Sequence, residues 1–135
     1  DSGRHSMFQH GLPERGSVQV ETTTLDWFLE TRDLSRVDLI KIDVEGAEVD
    51  VLDGMHQLLA RSPHLKLIIE LNPTLLQSAG VAPIDFLDEL RSLGFQTSNI
   101  DDPNGLSLVT EADSLSLINR LLAANSSANL LCVKE

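Results

Sequence analysis

Positive charge, cysteine and long apolar runs are all scarce in this sequence, and each shortage removes a class of function. Ten Lys and Arg stand against 21 Asp and Glu, a net charge of −11, so phosphate backbones and anionic lipid headgroups are repelled. Neither nucleic acid nor a membrane surface is expected as a partner. The single cysteine, Cys132, has no mate for an internal disulfide, and its place in the apolar run 130–133 predicts a buried, inert thiol. No apolar stretch approaches the ~20 residues that span a bilayer, and no basic-then-apolar leader opens the chain. A cytoplasmic location is the expectation. The first residue is Asp1 rather than Met, so a piece of a longer polypeptide is expected. His5, His10, His56 and His64 share no metal-ligand spacing and read as surface residues. Asn125-Ser126-Ser127 fits a glycosylation sequon, but no secretory signal accompanies it.

What is present suits one globular core: 135 residues, 41% of them apolar. Residues 1–17 are polar and aperiodic, a loop or edge segment, and residues 18–135 carry the patterned remainder. Val18 and Val20 alternate with polar neighbours as in a strand. Thr23-Thr24-Leu25-Asp26 resembles a capping box opening a short helix to about Glu30. Residues 37–44 form an apolar strand ending in acids. A helix follows with Ala47, Val51, Met55, Leu58 and Leu59 on one face, bent or capped at Gly54. Residues 65–71 predict a second strand. Pro83, the stripe Ile84, Phe86, Leu87, Leu90 and Leu93, and Gly94 predict a helix with proline at its start and glycine just past its end. A strand at 95–100, a turn at 101–105, a helix carrying Leu115, Ile118, Leu121 and Leu122, and a terminal strand at 130–134 complete the pattern.

Strands alternating with helices imply an α/β fold, mostly parallel, with crossover helices covering both sheet faces. Ligands in such sheets bind beyond the carboxyl ends of the strands. Asp43 and Glu45 follow the first strong strand, and Glu70 and Asn72 end the second; these four residues are the candidate site. Each also has a structural reading. Asp43, Glu45 and Glu48 can cap or complement the start of the following helix, and Asn72-Pro73 is a frequent turn starter. A carboxylate such as Glu70 at the end of an apolar strand needs a partner or water. Lys41 lies two residues before Asp43 and shares its strand face, which predicts a site-organising internal ion pair with Asp43 or Glu70. Trp27, among Leu25, Phe28 and Leu29, reads as core or interdomain packing.

The segment DLIKIDVEGAEVDVLDG at 38–54 closely resembles the signature of FkbM-type methyltransferases, a strand reading IKID followed by an EG-x-E turn and helix. Thr24-Leu25-Asp26 is similar to that family's TLD element, and residues 67–70 to its next strand ending in Glu. The resemblance covers most of residues 18–100. It implies the C-terminal half of a class I, Rossmann-like methyltransferase sheet, with the strands at 37–43, 65–70, 95–100 and 130–134 as the fourth to seventh and the last antiparallel. The first three strands and the glycine-rich cofactor turn then belong upstream of Asp1. The implied activity is transfer of a methyl group from S-adenosylmethionine to a hydroxyl of a sugar, polyketide or similar small metabolite, with Asp43 or Glu70 as candidate base. No metal is implied. Two alternatives stand beside it: a magnesium-dependent phosphoryl-transfer site with Asp43 and Glu45 as metal ligands, and a non-catalytic half-domain that serves as a binding module.

Overall fold

Residue type alternates in Ile40-Lys41-Ile42-Asp43, and burial alternates along the apolar run Leu67-Ile68-Ile69, because successive side chains of a strand point to opposite faces. The computed structural model describes residues 19–134. Its elements, in chain order, are α1 (Leu25–Thr31), β1 (Leu39–Ile42), α2 (Glu48–Asp53), α3 (His56–Arg61), β2 (Lys66–Leu71), α4 (Pro73–Ser78), α5 (Pro83–Ser92), β3 (Phe95–Asn99), β4 (Ser107–Leu108), α6 (Glu111–Ala124) and β5 (Ala128–Lys134). The segment 1–17 and Val18 lie outside the described residues. Val20 is exposed in irregular chain, so the expected strand is not formed there.

The fold is mixed α/β, with a five-stranded sheet in the order β1-β2-β5-β3-β4. The expectation of a mostly parallel sheet is corrected at the level of ladders. β1–β2 is parallel, while β2–β5, β5–β3 and β3–β4 are antiparallel. The physical reason is the placement of β5, which enters between β2 and β3 running against both, so β1, β2 and β3 still point the same way. The terminal strand is antiparallel as expected.

Coverage of both faces is also corrected. Register aligns Lys41 with Ile68 and Leu131, and Ile42 with Ile69 and Leu130. Ile42, Leu67, Ile69, Leu71, Leu130 and Cys132 join the buried side chains of the helices in one core. On the other face Lys41 and Lys66 are exposed, Ile68, Leu131 and Val133 are half-buried, and Leu39 and Leu108 are 54% and 49% exposed. Among the described residues, the apolar packing of the sheet is therefore one-sided.

The local chemistry explains the helices. Thr24, rather than Thr23, caps α1 by accepting from Trp27 N at 3.2 Å. Asp26 leaves its own helix instead of closing a capping box, and accepts from Gln57 N and Leu58 N at 2.8 and 2.9 Å. The helix expected across 47–59 is broken into α2 and α3 at Gly54-Met55. Asp26 supplies the second piece with the acceptors that its first N–H groups need. α5 starts on Pro83, and Gly94, at φ +85°, follows its C-cap. In α6 a capping box between Thr110 and Asp113 sets the phase, so Ser114, Leu117, Ile118 and Leu121 turn inward. Leu115 of the expected stripe is instead 61% exposed. Trp27, expected in core or interdomain packing, is 57% exposed among the described residues and so lies outside the core, where Leu29 is the α1 residue that is buried.

Candidate functional site

The candidate site lies where β1 and β2 end side by side. Their ladder matches Ile42 with Ile69, so the next residues, Asp43 and Glu70, emerge on the same open face as Lys41 and Ile68. Neighbouring strands lie ~4.8 Å apart, which makes the two carboxylates neighbours. Sequence separation hides this adjacency and parallel pairing creates it. Glu70 is half-buried, and its proton affinity is raised above the usual carboxylate range. Burial is the largest cause, opposed by a hydrogen bond from the Ser127 side chain and reinforced by the charges of Asp43, Glu45 and Glu48. A carboxylate held this way is a better base than one in water.

Between β1 and α2 the chain turns through Glu45 at φ +56° and Gly46 at φ +102°. The left-handed region is uncommon for a residue with a side chain and costs of order 1 kcal/mol or more, so surrounding contacts must hold Glu45 there. Glu48 supplies them. Its carboxylate is fully buried, and Oε1 accepts from Val44 N at 3.2 Å and Gly46 N at 3.3 Å. Glu48 Oε2 is buried without a hydrogen-bond partner. The role of Glu48 is thus to tie the turn. Gly46 also presses against α4, since a Cβ there would meet Leu75 O at 3.1 Å.

Asn72 caps α4, its Oδ1 accepting from Leu75 N at 3.3 Å. The helix after Asn72-Pro73 escapes the sequence pattern because its six residues are too few to show a period. Lys41 and Asp43 form an ion pair at 2.5 Å, but their side chains are 56% and 46% exposed. Among the described residues β1 is the edge strand of the sheet, and the Lys41–Asp43 pair lies exposed on its open face rather than internally. Sequence reasoning missed Ser127, whose bond to Glu70 depends on β5 returning beside β2. Beside the site, a cavity of about 140 Å³ is lined by Gly46, Val49, Asp50, Ala79 and Val81.

The remaining candidates separate from the site. His56 is exposed and lies 3.6 Å from Asp53, and His64 is exposed; His5 and His10 lie outside the described residues. Cys132 is buried, and burial pushes its thiol up to about 12. Among the described residues no three or more His, Cys, Asp or Glu side chains are arranged to hold a metal ion. No helix of the described residues is long and apolar enough to cross a membrane.

The described chain is a mixed α/β fold with acids at the ends of two parallel strands, and comparison with known proteins supplies the family. Residues 1–97 match the Methyltransferase FkbM domain. The chain belongs to this methyltransferase family. It is also similar to Methyltransferase 1 of Beauveria bassiana (strain ARSEF 2860), with 51% identity over 45 residues, a stretch that covers 33% of this chain and 18% of that relative. No solved structure matches.

Proposed function

We propose that this chain is the C-terminal half of an S-adenosylmethionine-dependent methyltransferase domain that methylates a hydroxyl of a small metabolite, such as a sugar or polyketide. The observation that carries the reading is the adjacency of Asp43 and Glu70 at the ends of parallel strands, with Glu70 shifted toward holding a proton. Methyl transfer to oxygen needs an in-line hydroxyl and a group to take its proton. Glu70 is the proposed base, and Asp43 and Asn72 orient the acceptor. Glu45 sits at the mouth, and Glu48 and Lys41 organise the turn and strand end.

The strand order supports a class I, Rossmann-like parentage. Three strands run one way and the last is inserted against them, which is the arrangement that the resemblance implies for strands four to seven. The residues present fit a role beside the cofactor rather than around it: strand-end carboxylates suit a cationic sulfonium and a hydroxyl, and the contacts to the cofactor's ribose are expected upstream of Asp1. When bound, S-adenosylmethionine supplies the electrophilic methyl group. A cytoplasmic setting accords with such a metabolite substrate. The test is to incubate the full-length protein with methyl-labelled S-adenosylmethionine and a panel of hydroxyl compounds. Label recovered in an ether linkage supports the reading, and label recovered on nitrogen or nowhere contradicts it.

A further inference from the structure

We propose that Ser127 is a positioning residue for Glu70: its hydroxyl, brought to the end of β2 by the returning strand β5, holds the carboxylate in the orientation and charge state in which a base works. The inference rests on the reading of Glu70 as the base, and adds to it a residue that acts on the acceptor only through Glu70.

The placement follows from the sheet. Antiparallel pairing sets Glu70 opposite Asn129 and Leu71 opposite Ala128. Ser127 stands two residues before Asn129, which puts it on the same open face and diagonally across from Glu70, a separation that a side chain as long as glutamate spans. The Ser127 hydroxyl donates to the Glu70 carboxylate. Asn129, directly opposite Glu70, is engaged elsewhere: its N and Nδ2 both donate to Asp101 Oδ2, at 2.6 and 3.0 Å.

Ser127 is itself held from both sides along the chain. Before it, α6 ends on Asn125 in the left-handed region at φ +46°, and Ser126 N donates to Leu121 O at 3.0 Å. After it, Asp101 grips Asn129, and Ile100 N donates to Asn129 O at 3.0 Å. A hydroxyl on a segment fixed at two neighbouring points meets its carboxylate with little ordering left to lose.

Glu70 needs such a partner. Burial and the like charges of Asp43, Glu45 and Glu48 favour the protonated carboxyl, whereas the Ser127 hydrogen bond favours the anion. The other charged groups on this face are placed elsewhere: Lys41 is paired with Asp43, Lys66 lies at the far end of β2, and Asp101 is tied to Asn129. A base must be unprotonated before it accepts a proton. A single hydroxyl donor leaves the carboxylate with lone pairs free for the acceptor's proton.

The experiment is an NMR titration of Glu70 in the full-length protein, with glutamate isotopically labelled at its side-chain carboxyl and the Glu70→Gln spectrum identifying the signal. Ser127→Ala should move the midpoint to higher pH. Ser127→Thr, which keeps the hydroxyl, should return it toward the parent's, and Ser126→Ala, which removes the neighbouring hydroxyl, should leave it in place. Ser127 is half-buried, so the loss of one oxygen leaves packing almost intact. With the hydroxyl compound that the labelling panel identifies, the acidic limb of kcat/KM should move with the midpoint. An unmoved midpoint in Ser127→Ala, an equal shift in Ser126→Ala, or no recovery in Ser127→Thr overturns the inference while the base assignment stands. A midpoint that moves while the kinetic limb stays overturns the base assignment, and the role of Ser127 in turnover with it.

Discussion

Asp26 caps a helix that begins thirty residues downstream of it: its Oδ1 accepts from Leu58 N at 2.9 Å, joining α1 to the start of α3. Oδ2 accepts from Gln57 N, and Asp26 N donates to Gly54 O at 3.0 Å, so one residue fixes the junction from both sides. Losing a cap costs about 0.5–2 kcal/mol. Asp26→Ala should lower stability by roughly that amount in urea unfolding, and Asp26→Asn, which keeps an acceptor oxygen, should lose less. Equal stability of Asp26→Ala and the parent would show that water replaces the cap at no cost.

The turn at Glu45-Gly46 predicts a second effect. Glu48→Ala strands Val44 N and Gly46 N, a loss of roughly 1–3 kcal/mol for buried donors, whereas Glu48→Gln retains an acceptor and should lose less. Gly46→Ala should be destabilising by at least about 1 kcal/mol, because φ +102° is hostile to a side chain and its Cβ would press on Leu75 O at 3.1 Å. Thermal melts of the three variants check the order.

Glu70 gives a pH dependence of definite sign. Burial raises its proton affinity in the fold, so the native state binds more protons than the unfolded state between the ordinary carboxylate value and the raised one. Its contribution to stability is therefore fully present below the unfolded value and is lost as pH rises through the folded value. Asp102 and Asp113, held below the usual carboxylate range by hydrogen bonds from Asn104 and Thr110, act in the opposite sense. Subtracting the stability curve of Glu70→Gln from that of the parent isolates the site. The parent should lose ground to the variant as pH rises from acid to neutral, and a difference that stays flat contradicts the shift.

Much of this arrangement is legible in the sequence because it is local. The IKID and IIE strand ends announce carboxylates at strand termini, and Pro83 and Gly94 bracket their helix. The alternation of Ile40 and Ile42 with Lys41 and Asp43 already carries the signature of one-sided burial, which the expectation of helices on both faces overrode. Other features depend on contacts that no short pattern encodes. The reach of Asp26 to α3, the bond from Ser127 to Glu70, and the entry of β5 between β2 and β3 join residues far apart in the chain. Lys41 was legible as a partner of Asp43, but its exposure depends on β1 lying at the sheet edge.

Asp43 and Glu70 are the proposed working carboxylates, and turnover of the full-length protein tests that role most directly. Removing a base or an orienting carboxylate typically costs on the order of 10²–10⁴-fold in rate, whereas an exposed ion pair contributes about 0–1 kcal/mol to stability. Measured with S-adenosylmethionine and a competent acceptor, Asp43→Asn and Glu70→Gln should lose turnover by that factor with unchanged circular dichroism. In the isolated 135-residue chain, where Lys41 and Asp43 pair at the surface, Lys41→Met should remain folded, with a melting temperature close to the unsubstituted chain's. Near-parental turnover in both acid variants would contradict the account and leave these residues as structural ends of their strands.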